Sequence, residues 1–414
     1  MAEKQHEFTN YIDKKTRRIA ADIKDDTNKV IKEILMDKSN FQSFSVGLAE
    51  LLVEHGYSGK TDDFIDMADY LYEKAATAGI NMKRFASKET IRNWLKDKNT
   101  PFGERSRFNM IAIAFALQMN LEETEDFFGR IFMGQPFNFR VPEECIYYYC
   151  INNHLSYSDA ERLNTAYIEQ YHKMQCVKKR STIVIREQIS KIRDDDSMLD
   201  YLLNGSIDSQ TFYNTARNQV KRLTSYAISC TNKLNEKWGI CTKENSDGII
   251  AEKITNINSL VKFIYGFPTD LCHDKKSKRK FNSNLSDVIK RNFPKQHEIG
   301  KILKDSPDIN DEMVRKALIM LYFVVSYGNA YLNNESPEHF TAERFITSCS
   351  YHLLECGFQE MYIRNAYDFI FYYCAYCAEY SEGKVISRFR VAFEAFHSVI
   401  NEIYELKEED DIDE

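Results

Sequence analysis

Residues 91–117 of this chain read IRNWLKDKNTPFGERSRFNMIAIAFAL, and residues 299–325 repeat their pattern as IGKILKDSPDINDEMVRKALIMLYFVV. The offset between the two segments is constant, and the identical positions are Ile91/Ile299, Leu95/Leu303, Lys96/Lys304, Asp97/Asp305, Glu104/Glu312, Arg107/Arg315, Ile111/Ile319 and Phe115/Phe323. Further on, RVPEECIYYYC at 140–150 matches RNAYDFIFYYC at 364–374. A repeat of this length predicts one supersecondary unit that is used twice.

The spacing of apolar residues predicts an all-α chain. Phe64, Met67, Ala68 and Leu71 follow one another at three- and four-residue intervals, and the chain contains only 15 Gly and 7 Pro. We predict helices at Phe44–Glu54, 82–96, 121–132 and Ser209–Trp238, among others. Arg140 and Arg364 precede the two matching aromatic helices, and we expect them to cap or bridge neighbouring helices.

The repeat divides the chain into five parts. We predict N-terminal helices at 1–60, a first copy with a helix-turn-helix-like segment at 61–176, and a helical middle region with a basic loop at 177–284. A second, degenerate copy follows at 285–397, and a helix end with an acidic tail occupies 398–414. The expected fold is therefore all-α, with two diverged copies of a helix-turn-helix-like unit joined by a helical middle region.

Composition places the chain among ordinary globular proteins. It has 414 residues, of which 43% are hydrophobic and 28% are charged, and its net charge is −7. An acidic chain has no global field that attracts nucleic acid, so any such contact requires a local basic patch. The polar N-terminus and the absence of long apolar stretches predict no signal peptide and no membrane span, and we expect a cytoplasmic protein.

A local basic patch does exist in the first copy. Between Lys83 and Arg107 there are eight basic residues against three acidic ones. Lys88, Arg92 and Lys96 recur at four-residue spacing and so share one face of a helix, while Ile91 and Trp94 fall on another. Such a face could contact phosphates or a major groove.

The segment GINMKRFASKETIRNWLKDKNTP at 79–101 resembles the lambda-repressor-like (xenobiotic-response-element type) helix-turn-helix family. The matching positions are Ser87, Thr90, Ile91, Trp94 and Pro101. This resemblance implies a recognition helix that enters the major groove. We predict nucleic-acid contacts from Lys83, Arg84, Lys88, Thr90, Arg92, Asn93, Lys96, Lys98, Arg105 and Arg107, and from a basic cluster at Lys275, Lys276, Lys278, Arg279 and Lys280.

Cysteine usage leaves two interpretations open. The ten cysteines fit reduced, buried, small apolar residues. The alternative is a metal site made by Cys349, Cys356, Cys374 and Cys377, with or without His352, although the last two cysteines lie in an aromatic helix that lacks a zinc knuckle. We favour core packing and expect no metal and no cofactor. The sequence also lacks recognisable catalytic patterns, so we do not expect an enzyme.

Two functions from different classes follow from these observations. The first is a DNA-binding regulator that contacts duplex DNA through the first copy. In this hypothesis the middle region and the second copy serve dimerisation, which would give a homodimer, or sensing. The second is a non-enzymatic helical protein-interaction module, for example a mobile-element or phage-related inhibitor or adaptor, which no longer binds DNA and has a protein partner.

Overall fold

The computed structural model describes most of the chain in seven stretches. These are residues 43–101, 106–171, 182–204, 209–238, 311–333, 341–381 and 385–405, with isolated positions 13, 14, 16–18, 20, 41, 254, 259, 260, 264, 280, 281, 292, 293 and 301. Within these residues the fold is all-α, as predicted, apart from a two-residue antiparallel ladder between Lys280–Phe281 and Tyr404–Glu405. That the chain contains two copies of one unit stays a prediction.

The helices fall into two groups along the chain. The first group is α1 (Phe44–Glu54), α2 (Phe64–Thr77), α3 (Lys88–Leu95), α4 (Arg107–Ala116), α5 (Leu121–Asp126), α6 (Pro142–Asn152), α7 (Tyr157–Tyr171), α8 (Thr182–Ile189) and α9 (Asp195–Asn204), with a π-helical segment at Phe127–Phe132 directly after α5. The second group is α10 (Ser209–Trp238), α11 (Asp311–Leu332), α12 (Ala342–Glu355), α13 (Ala366–Tyr380) and α14 (Val385–Ile403).

Polar side chains fix where several helices begin. The Ser87 hydroxyl accepts a hydrogen bond from the backbone N–H of Thr90 at 3.2 Å, and Asn120 and Glu123 form a reciprocal capping box at 2.9 Å. Pro142 occupies the first turn of α6. These contacts satisfy N–H groups that have no partner inside the helix, so each start is set locally.

Several helices end in a left-handed residue. Gly79, Gln118 and His154 have φ of 76°, 52° and 56°, and the residue after each donates its N–H to a carbonyl five positions earlier at 2.8–3.1 Å. This arrangement caps the final carbonyls and stops the helix. Only Gly79 is a glycine, so the sequence marks one of these three ends clearly.

Two predicted boundaries differ from the observed ones. The helix expected at 82–96 starts only at Lys88, because the Ser87 cap follows a stretch of turns and loop between α2 and α3. The helix expected at 121–132 changes from α to π after Asp126. Predicted helices at Phe44–Glu54 and Ser209–Trp238 agree with the structure. Much of the basic loop of the middle region and the acidic tail lie outside the described residues.

The described apolar side chains form two separate cores. One core takes its residues from 44–203, and the other takes nearly all of its residues from 209–403. We call residues 43–204 the first half and residues 209–405 the second half. Helices α8 and α9, which we had placed in the middle region, contribute Ile185, Ile189 and Met198 to the first core. Met133 of the first half packs into the second core.

Candidate interaction surfaces

Helix α3 carries the basic face that the sequence predicts. Ile91, Trp94 and Leu95 are buried, and the Trp94 ring meets the edge of Phe44 at a centroid distance of 6.1 Å. Lys83, Thr90, Lys96 and Lys98 are exposed. The amphipathic division predicted for this helix is therefore present, because its apolar residues share one face.

Three of the basic residues around α3 are paired with carboxylates. Lys88 Nζ lies 2.9 Å from Asp69 Oδ1, and this hydrogen bond raises the pKa of Lys88. Arg92 Nη1 lies 2.6 Å from Glu89 Oε2. Arg84 lies 3.7 Å from Glu143 and stacks over the Phe108 ring at 4.2 Å. Charges that are compensated in this way attract phosphates less than the residue count of the segment suggests.

Arg107 does not lie on the predicted basic face. Its side chain is buried, with 7% of the residue exposed, and its Nε donates to Glu144 Oε1 at 2.9 Å. Its Nη1 and Nη2 donate to the carbonyls of Gln135 and Pro136 at 2.6 and 3.2 Å. The prediction that Arg107 contacts nucleic acid is wrong, because every polar group of its guanidinium faces the interior. The sequence contained a signal: the second copy loses the basic face but keeps this arginine as Arg315.

Three further predicted nucleic-acid residues, Thr90, Asn93 and Lys98, lie in α3 or in the turn that follows it. Thr90 uses its hydroxyl in a 2.9 Å hydrogen bond with Ser87, and the backbone N–H of Lys98 donates to Asn93 as α3 ends. Arg105 and the cluster Lys275, Lys276, Lys278 and Arg279 lie outside the described residues, and Lys280 belongs to the short ladder.

The cysteines proposed as an alternative metal site lie in the second core. Cys349, Cys356, Cys374 and Cys377 are all buried. Burial raises the pKa of Cys356 to about 12, so its thiol stays protonated at neutral pH. Among the described side chains no group of three or more His, Cys, Asp or Glu residues has an arrangement that could hold a metal ion.

A groove in the second half has the features of a protein-binding surface. It lies between α10, α11 and α12 and encloses a cavity of about 300 Å³, lined by Gln219, Arg222, Leu223, Tyr226, Leu318, Tyr322, Val325, Asn329, Cys349, His352, Leu353 and Cys356. We call this the α10–α12 groove. Its lining is mainly apolar. The sequence analysis missed it, because its residues come from segments far apart in the chain.

An exposed tyrosine, Tyr226, lines the groove. It is 52% exposed. The Arg222 guanidinium stands 5.7 Å from the Tyr226 ring. Among the lining residues, His352 packs on Tyr322 at a ring-centroid distance of 4.8 Å, and burial raises the pKa of Tyr322. Exposed tyrosine and arginine beside an apolar cavity are typical of binding hot spots.

Comparison with known proteins gives one partial similarity. A protein of Candida albicans described as "Probable kinetochore protein NUF2" is 29% identical over 163 residues, which are 39% of this chain and 33% of that protein. The chain thus covers about a third of the relative's length. No family model matches the chain, and no solved structure matches it. None of the described helices is long and apolar enough to cross a membrane.

The similarity corrects the first functional prediction. The relative is a kinetochore protein and not a transcription regulator, so the prediction of a helix-turn-helix regulator that contacts duplex DNA is wrong. The paired carboxylates around α3 and the burial of Arg107 give a physical reason, because they remove much of the free positive charge on which that prediction rested. The findings favour the second hypothesis, a protein-interaction module.

Proposed function

We propose that this chain is a non-enzymatic helical protein-interaction module and that the α10–α12 groove receives an apolar segment of a partner protein. The observation that carries the proposal is the half-exposed Tyr226, with Arg222 beside it, in the lining of a mainly apolar cavity. The similarity to a component of the kinetochore, a protein assembly, adds support. The cytoplasm remains the location that we expect from the sequence.

The size of the cavity limits what enters it. A volume of about 300 Å³ is at the lower end of the roughly 300–1,000 Å³ typical of ligand pockets. We therefore expect one or two large apolar side chains of the partner to enter the cavity, while the rest of its segment lies across Tyr226. Truncation of such an anchor side chain costs more binding free energy than truncation of a peripheral one.

The charge beside the groove indicates the chemistry of the partner segment. Helix α10 places Lys221 and Arg222 on its exposed side, one turn before Tyr226. A segment with apolar anchors and neighbouring carboxylates fits this surface, because opposite charges at the rim orient the partner and speed its association.

A photo-crosslinking amino acid placed at position 226 in the full chain tests the groove. Position 171 is the matched control, since Tyr171 is a similarly exposed tyrosine in the first half. We expect a discrete protein adduct from position 226, formed in cells and identified by mass spectrometry, and none of that mass from position 171. The same adducts from both positions would count against the groove.

The affinity of the chain for the identified partner then measures how much Tyr226 contributes to binding, with Tyr171 as the control. We expect Tyr226→Ala to weaken binding about 30-fold, as loss of a hot-spot side chain does, and Tyr171→Ala to change it less than twofold. In parallel, fluorescence anisotropy with random duplex DNA at two salt concentrations should show no salt-sensitive binding. Salt-sensitive binding to duplex DNA would contradict the proposal.

A further inference from the structure

Two buried arginines, one in each half, have matching surroundings. Arg107 bonds Glu144 and the carbonyls of Gln135 and Pro136. Arg315 bonds Asp368 at 2.6 and 2.9 Å and the carbonyls of Gln359 and Glu360 at 3.3 and 3.0 Å. In each half, one arginine at a helix start thus ties a carboxylate on a later helix to the loop before it.

The loops themselves also correspond. The carboxylate of Glu144 accepts the backbone N–H of Asn138, six residues earlier, and that of Asp368 accepts the backbone N–H of Tyr362, again six residues earlier. Each loop follows a left-handed residue, Met133 with φ of 55° in the first half and Gly357 with φ of 81° in the second. We call the segments 134–141 and 358–365 the paired loops.

Each paired loop binds an aspartate of the other half. Asn138 and Arg140 of the first half both donate to Asp311 at the start of α11. Tyr362 and Arg364 of the second half both donate to Asp126, at 3.0 and 3.1 Å. Arg140 and Arg364 occupy matching sequence positions and are both buried. They bridge helices, as the sequence predicts, but across the two halves.

Close packing accompanies these ionic contacts. The Tyr362 ring lies against Gly129 in the π-helical segment, where an added Cβ would stand 2.8 Å from the ring. The Arg140 guanidinium stacks over Phe358 at 4.9 Å. The two aspartates are not at matching positions, since Asp126 directly precedes the π-helical segment and Asp311 begins a helix. The correspondence therefore lies in the donor loops.

We infer that the two halves form an internal pseudo-dimer, in which the paired loop of each half binds an aspartate of the other half. The partner that this surface fits is a second unit of the same fold, here supplied by the same chain. The inference does not depend on the α10–α12 groove, which lies wholly in the second half. A chance contact between unrelated domains has no reason to use the same loop from both sides.

The test requires a chain that can be cut into its halves after folding. The N-terminal segment must be separated too, because Phe41 packs on Phe369 of the second core and Arg17 bonds Tyr376. Protease sites at residue 42 and within 205–208 of the full chain release a first half that lacks this segment. Size-exclusion chromatography and dilution then give the dissociation constant of the cut halves.

We expect the cut wild-type protein to elute at the same volume as the uncut protein at micromolar concentration, because its halves stay associated. Arg140→Asp and Arg364→Asp should each raise the dissociation constant about 100-fold, because each leaves a carboxylate facing a carboxylate in a buried site. Asp311→Arg combined with Arg140→Asp should restore much of the association. Arg162→Asp is the matched control, since Arg162 pairs with Asp159 and Asp195 on the surface of the first half.

Three outcomes would overturn the inference. The cut wild-type halves could separate at micromolar concentration, or Arg140→Asp could behave like the Arg162→Asp control. A loss of association on one side only, with Arg364→Asp neutral, would show that the contact is not reciprocal. Circular dichroism of each uncut variant, compared with the wild type, ensures that a loss of association is read from folded protein.

Discussion

Replacing Arg315 by methionine tests how the second core tolerates a buried charge. Only 3% of Arg315 is exposed, and its four hydrogen bonds go to Asp368 and to two loop carbonyls. Burial alone would lower the pKa of Arg315, but the charge of Asp368 beside it raises that pKa. The Arg315 guanidinium is therefore charged in the folded protein, and it lies directly against the Asp368 carboxylate.

The structure gives the expected size of the effect. Arg315→Met leaves the Asp368 carboxylate buried without its cation, and removal of one partner of a buried pair costs about 3–5 kcal/mol. Arg162→Met removes an arginine that is 56% exposed, and a surface pair contributes about 0–1 kcal/mol. The double variant Arg315→Met/Asp368→Leu should recover most of the loss, because no unpaired charge remains.

Urea unfolding followed by circular dichroism measures these free energies. In Arg315→Met a carboxylate stays buried without its cation, and burial favours the protonated form of an acid. Such a group destabilises the fold when ionised, so the loss should shrink as pH falls from 7 towards 4. A loss below about 1 kcal/mol for Arg315→Met at pH 7, or a loss that grows on acidification, would refute this reasoning.

Three further changes test local features. Gly328→Ala should lower the free energy of unfolding by about 1–3 kcal/mol, because the added Cβ on α11 would clash with the Cys230 sulfur on α10. A second change, Cys230→Ala, should remove the clash and recover much of the lost stability. A Gly328→Ala variant as stable as the wild type would contradict this close packing. Ser87→Ala should cost about 1 kcal/mol by removing the cap of α3, and Ser87→Asp should not. At pH 8 the seven described cysteines should react with a thiol reagent only in urea, because they are buried and burial raises the pKa of Cys230, for example, to about 11. The measurement uses a variant with serine in place of Cys176, Cys241 and Cys272. Fast labelling of this variant without urea would disprove the prediction.

Sequence pattern alone was a poor guide to the role of individual charges. Lys88 and Arg107 look equivalent in the basic segment 83–107, yet Lys88 bonds a surface aspartate and Arg107 lies in the first core. Helical spacing tells which residues share a face but not which face a distant helix covers. Glu144, which pairs with Arg107, lies outside the segment, so a local charge count could not reveal the pairing.

The candidate groove was out of reach for the same reason. Tyr226 belongs to the helix that the sequence predicts at Ser209–Trp238, and nothing near Tyr226 or His352 in the sequence marks either residue as part of a binding surface. Only the packing of α10, α11 and α12 brings them to one cavity. The burial of Cys349 and Cys356, by contrast, agrees with the interpretation that we favoured from composition and from the aromatic helix that follows.

The amino-acid sequence by itself determined the all-α class, the extents of helices such as Ser209–Trp238, and the starts set by Asn120 and Pro142. These features depend on residues within about one helical turn of each other, where spacing and capping are visible in the sequence. The tertiary structure alone decided that Arg107 is buried, that Arg140 and Arg364 reach across the two halves, and that a groove forms beside Tyr226. Those features join residues far apart in the chain, and their energy comes from burial and charge pairing that no local pattern encodes.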